Sequence, residues 1–114
     1  MYYRGAAAAV LVYDITKPSS FDTMVRWVEE LKVRGPPNIV LAFAGNKLDL
    51  AAHRLVPTEQ VEDYISKIEE GGGGRPFFRE CSAKTGEGVQ ELFAEVCAKI
   101  VANARAEDSQ TAQP

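Results

Sequence analysis

The chain has 114 residues, which is enough for one small domain and too few for two. Its composition, 46% hydrophobic and 25% charged, is typical of a water-soluble globular protein. The formal net charge of −3 and the lack of a Lys/Arg cluster argue against binding to nucleic acid or to acidic lipid.

The chain contains two cysteines and one histidine. Cys81 and Cys97 both lie in apolar surroundings, so we expect buried free thiols. A disulfide is the less favoured alternative, because nothing in the sequence indicates secretion. These residues do not have the spacing of a zinc site, and no metal site is predicted. No apolar run is long enough to span a bilayer and no C-terminal cysteine could carry a prenyl group, so we expect a cytoplasmic chain without its own membrane anchor.

The first predicted unit is a strand followed by a helix. The continuous apolar run from Ala7 to Tyr13 predicts a strand buried on both faces, ending at Asp14. Ser19 is predicted to cap the helix that follows, whose apolar residues recur at helical spacing. The sequence Gly-Pro-Pro at 35–37 should end that helix.

Two further units repeat this pattern. Residues 38–45 predict a second buried strand, followed by a helix that begins near Pro57. Residues 76–81 predict a short third strand, and the apolar stripe after Gly88 predicts the most regular helix of the chain. We expect the folded domain to cover residues 1–102 and residues 103–114 to be disordered, because the composition there becomes small and polar.

Alternating buried strands and amphipathic helices predict an α/β fold with a parallel sheet. In such folds ligands bind outside the carboxyl ends of the strands. Asp14, residues 46–49 and residues 82–84 each follow one of the predicted strands. The sequence therefore predicts one polar site built from three loops at the same rim of the sheet.

The residues at this rim suit a guanine base. Guanine presents two adjacent donors, which the single carboxylate of Asp49 can accept, whereas adenine would present an acceptor to it. Asn46 can donate to the base and can also connect two loops. The stems of Lys47 and Lys84 can cover the two faces of the base, and Ala83 can offer its backbone N–H to the guanine O6.

Two motifs carry a resemblance to a known family. The sequence from Asn46 to Asp49 (NKLD) matches the N-K-x-D motif of small GTPases of the Ras superfamily, and that from Ser82 to Lys84 (SAK) matches their S-A-K motif. The resemblance covers residues 1–102. The stretches around the two motifs resemble Rab proteins among the small GTPases, and residues 38–56 are most similar to the early-endosomal branch of the Rab proteins. Further Rab-like stretches are residues 1–6 (MYYRGA), 12–16 (VYDIT), 27–31 (WVEEL) and 45–50 (GNKLDL).

The resemblance implies a P-loop NTPase-like fold of three layers, α/β/α, of which this chain supplies three parallel strands alternating with helices. It implies a GTPase that regulates endosomal vesicle trafficking, with GTP or GDP as ligand and with effectors and exchange factors as partners at the endosomal membrane. The sequence lacks a G-x-x-x-x-G-K-[ST] loop, a D-x-x-G motif and the prenylated cysteines of the family. We therefore expect the C-terminal half of a GTPase domain, with no catalytic residues, no Mg²⁺ ligands, weak nucleotide binding and no hydrolysis.

Two alternatives and one assembly prediction remain. The chain could be a non-enzymatic interaction module that binds Rab partners, and an unrelated flavodoxin-like domain would explain the strands but not the paired motifs.

In the family's sheet the strand from Ala7 to Tyr13 has a further neighbour, so its apolar edge should be exposed here. An exposed edge of this kind pairs with other chains, and we expect a homodimer or higher oligomer through it.

Overall fold

The computed structural model describes residues 8–35, 39–71 and 75–111, with side chains described as far as residue 102. Ala7 of the first predicted strand, Asn38 of the second, and residues 72–74 and 112–114 lie outside the described residues. No helix in the described part of the chain is both long enough and apolar enough to cross a membrane.

The first unit consists of strand β1 (Ala8–Asp14) and helix α1 (Pro18–Arg34). The prediction that Ser19 caps α1 is wrong, because Lys17 occupies the cap position and Ser19 lies inside the helix. Pro18 explains the earlier start: its fixed φ suits the first helical turn, where its missing N–H costs no hydrogen bond. The next residue, Ser20, connects the helix to β1, because its hydroxyl accepts the backbone N–H of Asp14 at 2.8 Å.

The second unit consists of strand β2 (Val40–Asn46), a 3-10 helix (Leu48–His53) and helix α2 (Thr58–Glu70). Pro57 occupies the N-cap position of α2, one residue before the helix. Arg54 makes two hydrogen bonds with the carboxylate of Glu80, at 2.5 and 2.6 Å. This ion pair ties the segment between the 3-10 helix and α2 to the end of the third strand.

The third unit consists of strand β3 (Phe77–Glu80) and helix α3 (Val89–Thr111). Helix α3 continues beyond residue 102 to Thr111, whereas the sequence analysis predicts disorder for residues 103–114. The composition accounts for this, because residues 103–111 contain no glycine or proline and several strong helix formers. The proposed domain boundary at residue 102 stays a prediction.

The three strands form one parallel sheet in the order β1-β2-β3, with Ala8 opposite Val40 and Ala42 opposite Phe77. Strand order therefore follows chain order, and β1 is an edge strand of this sheet. The prediction of an α/β fold with three parallel strands alternating with helices is confirmed.

The sheet separates two apolar cores. On one face α1 and α2 pack against Tyr13 of β1 and Phe43 of β2, and the core includes Ile15 and Val56 from the connecting segments. On the other face α3 packs through Leu92 and Val96 against small residues of the sheet. Helices on both faces of the sheet give three layers, and all three loops that follow the strands are at one rim.

Candidate functional site

Backbone hydrogen bonds hold the predicted site loops together at the carboxyl ends of the strands. Leu48 N–H donates to the carbonyl of Cys81 at 3.0 Å, which ties the 46–49 loop to the 82–84 loop. Ile15 N–H donates to the carbonyl of Asn46 at 3.2 Å, and this bond brings in the loop that follows β1. The parallel sheet thus places the three predicted polar loops side by side.

Asn46 connects two of these loops through its side chain. Its Oδ1 accepts the backbone N–H of Ala83 at 3.0 Å. Sequence reasoning assigned that N–H to the O6 atom of a guanine base, but in this structure it donates to Asn46. Asn46 is therefore placed as the loop connector that the sequence analysis expected. A base approaching through O6 would have to share or replace this bond.

Ser82 fixes the orientation of Asp49. Ser82 is fully buried, and its hydroxyl donates to Asp49 Oδ1 at 2.7 Å while accepting the Thr85 N–H at 3.1 Å. Its backbone N–H donates to the carbonyl of Glu87 at 2.9 Å. The carboxylate of Asp49 is consequently anchored on one oxygen although the residue itself is exposed. An anchored, exposed carboxylate suits an acceptor for a donor pair on a ligand.

Lys47 combines an unusual backbone with an ion pair. Its φ of 70° and ψ of 36° place it in the left-handed region, and among the described residues it is the only non-glycine residue with positive φ. Such a conformation is uncommon for a residue with a Cβ and costs of order 1–3 kcal/mol. Lys47 Nζ lies 2.8 Å from Asp14 Oδ2, so the aliphatic stem is held between the backbone turn and the first loop.

Asp14 is the anchor for this lysine. Burial alone would raise the pKa of the Asp14 carboxyl, but the hydrogen bond from Lys47 and those from the Thr16 hydroxyl and N–H lower its pKa to about 2. The Thr16 bonds to Asp14 Oδ1 measure 2.7 and 2.9 Å. Asp14 is therefore ionised at neutral pH and positions Lys47.

The side chains of the predicted site residues are not all held by contacts. Lys84 is exposed, and its side chain has no partner that would fix it among the described residues.

Sequence reasoning missed Thr16 as a second partner of Asp14. The sequence Asp14-x-Thr16 carried a signal for it, because an Asp at a strand end often accepts the N–H two residues later.

The arrangement presents one anchored carboxylate, one connecting amide and two lysine stems around the rim of the sheet. Within the described ranges no group of acidic, histidine or cysteine residues could hold a metal ion. The carboxylate, the amide and the lysine stems can bind and orient a planar ligand that carries adjacent donors.

Comparison with known proteins gives matches over most of the chain. The Ras family model matches residues 1–102. The chain is 50% identical over 103 residues to the putative Ras-related protein Rab-5B of Dictyostelium discoideum, a match that covers 90% of this chain and 45% of that protein. It is 44% identical over 109 residues to Ras-related protein Rab5A of Oryza sativa subsp. japonica, covering 96% and 51%.

Human Ras-related protein Rab-22A is 48% identical over 100 residues, with 88% of this chain and 48% of that protein covered. The chain spans about half the length of the curated relatives that it matches. The similarity therefore applies to one half of each of these relatives.

Proposed function

The chain belongs to the Ras family, and on this premise we propose that it forms the guanine-recognition half of a Rab-type small GTPase. The proposed base-binding residues are Asn46, Lys47, Asp49, Ser82, Ala83 and Lys84. The observation that carries the proposal is the anchored carboxylate of Asp49, held by the buried Ser82 hydroxyl at 2.7 Å beside the loop-connecting amide of Asn46.

The chemistry favours guanine over adenine. A carboxylate has only acceptors, so it can satisfy the N1–H and N2 amine of guanine together. Against adenine the same carboxylate would be desolvated without a donor, which is a large penalty in a buried contact. The positive φ of Lys47 and its ion pair with Asp14 support the proposal further, because they hold the aliphatic stem of Lys47 at the rim of the sheet.

Affinity should be low because the base provides only part of a nucleotide's contacts. The phosphates and Mg²⁺ of GTP are held by backbone N–H groups of a glycine-rich loop, a lysine and acidic or hydroxyl ligands, and the 114 residues contain no such motif. GTP hydrolysis also requires a positioned water and stabilisation of charge on the phosphate. We accordingly expect these 114 residues alone to bind GDP weakly and to release no phosphate from GTP.

Titration of the isotope-labelled chain with guanosine monophosphate, followed by amide NMR, tests base recognition. Guanosine monophosphate at millimolar concentration should shift the amides of residues 46–49 and 82–84, and adenosine monophosphate should not. The variant Asp49→Asn should weaken binding roughly tenfold or more, because a hydrogen bond to a charged group contributes about 1.5–3 kcal/mol.

Asp63→Asn, which removes an exposed carboxylate on α2, is the matched control and should bind as the wild type does. Equal shifts with both nucleotides, or equal affinity of Asp49→Asn and wild type, would contradict the proposal. Calorimetry with GDP and Mg²⁺ tests the affinity separately, and a submicromolar dissociation constant would contradict the expectation of weak binding.

The relatives that match the chain are named as Ras-related Rab proteins, and these names support a cellular role of the Rab type. We include in the proposal that the GTPase to which this half belongs acts in endosomal vesicle trafficking at the endosomal membrane, with effectors and exchange factors as partners. Binding of the chain to effector proteins, measured by pull-down with and without a loaded guanine nucleotide, would distinguish this role from that of a nucleotide-independent interaction module. Self-association through β1 also belongs to the proposal.

A further inference from the structure

The 3-10 helix that carries Asp49 is not held by apolar packing. None of its six residues, Leu48–His53, is buried. Its backbone is also irregular, because Leu50 has φ of −105° and ψ of 29° and interrupts the helical geometry. Helices of the 3-10 type have poorer hydrogen bonds than α-helices. Contacts with other segments must therefore fix this helix and, with it, the carboxylate of Asp49.

The chain that follows β3 supplies such contacts at the start of the 3-10 helix. Leu48 N–H donates to the carbonyl of Cys81 at 3.0 Å, and Asp49 accepts the Ser82 hydroxyl at 2.7 Å. Both partners come directly after Glu80, the last residue of β3. The first turn of the 3-10 helix is therefore joined to two successive residues at the end of this strand.

Arg54 makes the corresponding connection at the other end of the 3-10 helix. Its guanidinium donates to both carboxylate oxygens of Glu80, at 2.5 and 2.6 Å, and to the carbonyl of Val56 at 3.2 Å. The side chain of Arg54 is 26% exposed and that of Glu80 is 14% exposed, so solvent screens this pair less than it screens a pair on the open surface. Two parallel bonds also fix the relative orientation of the two side chains.

The backbone that follows Arg54 is fixed to a third segment. The N–H groups of Leu55 and Val56 both donate to the carbonyl of Ile15, at 2.8 and 3.0 Å. Ile15 is fully buried and lies between β1 and α1. The ion pair thus attaches a segment with a fixed backbone to the end of β3, and the 3-10 helix is held at both of its ends.

We propose that Arg54 and Glu80 are positioning residues for guanine recognition: their ion pair holds the Asp49 carboxylate in the orientation that accepts both the N1–H and the N2 amine of the base. Both residues act through Asp49, and neither needs to contact the base. This inference rests on the proposed function and extends it by two residues that lie outside the two sequence motifs.

A positioning role and a purely structural role have different consequences for binding. If the ion pair only stabilised the fold, its loss would lower the folded fraction and would weaken the binding of every base by the same factor. If the pair orients Asp49, its loss lets the 3-10 helix move while the sheet stays folded. Hydrogen bonds weaken steeply as their angles depart from linearity. A base that uses two bonds to the carboxylate should then lose more affinity than a base that uses one.

Inosine monophosphate provides this comparison, because hypoxanthine keeps the N1–H of guanine and lacks the N2 amine. Amide NMR titrations of the 114-residue chain give its dissociation constants for guanosine and inosine monophosphate. The wild type should bind the guanine nucleotide at least about tenfold more tightly, since the second donor bonds to a charged acceptor. Arg54→Gln should reduce this ratio to about three or less, because the carboxylate loses its fixed orientation. Arg54→Lys keeps the charge but not the two parallel bonds, and should give an intermediate ratio.

Arg75→Gln is the matched control. Arg75 also pairs with two carboxylates, those of Glu62 and Glu69, but it precedes β3 and therefore lies at the end of the strand opposite the rim. Arg75→Gln should leave the ratio of the two dissociation constants unchanged. An unchanged ratio in Arg54→Gln, or an equal reduction in Arg75→Gln, would overturn the positioning role.

A double-mutant cycle tests whether the two residues act as one pair. Glu80→Gln should reduce the ratio as Arg54→Gln does, and the double variant should be no less selective than either single variant. Additive losses would contradict the pairing. Absence of any guanine preference in the wild type would instead refute the proposed function itself, so the two failures give different results.

Hydrogen exchange without nucleotide gives a measurement that does not depend on base binding. The N–H groups of Leu50 and Arg54 bond to carbonyls at the start and middle of the 3-10 segment, those of Lys47 and Ala51. In Arg54→Gln these two amides should exchange at least about tenfold faster than in the wild type, while the amides of β2 keep their protection. Equal acceleration in both segments would show a loss of global stability and would overturn the proposal.

Discussion

At the scale of single residues, Tyr13 occupies an unusual position. Its side chain is buried, with the ring edge-to-face against Phe21 at 5.5 Å, and its hydroxyl has no hydrogen-bond partner within the described part of the chain. Burial, followed by the nearby carboxylate of Glu80, raises the pKa of Tyr13. Gly45 is required beside it, because a Cβ at position 45 would lie 2.6 Å from the Tyr13 oxygen.

Replacement of Tyr13 by Phe should therefore leave stability unchanged or increase it by up to about 1 kcal/mol, because the change removes an unpaired buried hydroxyl and keeps the ring. Urea unfolding at a fixed protein concentration measures this. Tyr64→Phe is the comparison, since its hydroxyl makes only a long, exposed hydrogen bond, and it should change stability by less than about 0.5 kcal/mol. A loss of more than 1 kcal/mol in Tyr13→Phe would show that the hydroxyl has a partner.

Asp14 gives a pH-dependent prediction. The folded state lowers its pKa from 3.8 to about 2, so the stabilisation is fully present above about pH 4 and is lost as the pH falls toward 2. Asp14→Asn lacks it. The difference in unfolding free energy between wild type and Asp14→Asn should thus be about 1–2 kcal/mol at pH 5 and should shrink by pH 2.5. The difference is no larger because Lys47 is partly exposed, so that solvent screens its attraction to Asp14.

The control for this prediction is Asp63→Asn, which removes an exposed carboxylate of α2 that has no assigned partner in the site. Its difference from wild type should not follow the same course between pH 5 and 2.5. A pH-independent difference for Asp14→Asn would show that Asp14 stabilises the loop through packing rather than through its charge.

Residue types at the site could be predicted from the sequence, but their contacts could not. The two motifs predicted Asn46, Asp49 and the serine–alanine–lysine loop because guanine recognition restricts which residue types can serve. The bond between Asn46 and Ala83 joins loops 37 residues apart, and no local pattern encodes it. The expectation that Cys97 is buried is wrong, because the apolar stripe of α3 is wider than the part of the sheet that the helix covers.

At the scale of secondary-structure elements, the start of α3 depends on two glycines with positive φ. Gly86 has φ of 85° and Gly88 has φ of 76°. A Cβ at Gly88 would lie 2.6 Å from the carbonyl oxygen of Glu80, whereas a Cβ at Gly86 would meet no atom within 4 Å. Gly88 thus permits the close approach of α3 to the end of β3, and Gly86 only permits the turn.

Alanine substitution at these two positions separates the two requirements. Gly86→Ala should cost about 1–2 kcal/mol of stability for the left-handed backbone alone. Gly88→Ala should cost at least about 1 kcal/mol more, because the added methyl also overlaps a backbone atom that cannot rotate away. Thermal or urea unfolding of both variants measures the difference, and equal losses would contradict the close approach.

Element positions were predicted to within one or two residues for the strands. Strands of a parallel sheet are covered on both faces, so each is a continuous apolar run with distinct ends. The ends of the helices were harder to predict. Pro18 moved the start of α1 ahead of Ser19, and α3 runs on to Thr111 through residues whose helical propensity is not opposed by glycine or proline.

At the scale of the whole molecule, the two cores differ in how they are closed. The α1 and α2 core is covered by two helices and contains the larger aromatic residues, whereas in the described part of the chain α3 is the one helix on the other face. The family resemblance predicted this three-layer arrangement.

If the chain self-associates through β1, as the proposed function includes, stability must depend on protein concentration, because dimerisation stabilises only the folded chain. The midpoint of thermal unfolding should rise with wild-type concentration from one to one hundred micromolar. That of Val12→Lys should stay nearly constant over the same range. A wild-type midpoint that is independent of concentration would contradict self-association through β1.

The match between strand order and chain order also has a consequence for how the chain folds. Because Ala8 pairs with Val40 and Ala42 with Phe77, the two strand pairings close chain loops of nearly equal length and have nearly equal closure entropy. Loop closure therefore does not decide which pairing forms first. The pairing of β1 with β2 extends along all seven residues of β1, whereas β3 contributes only four. The N-terminal unit should form first and serve as the template on which β3 and α3 assemble.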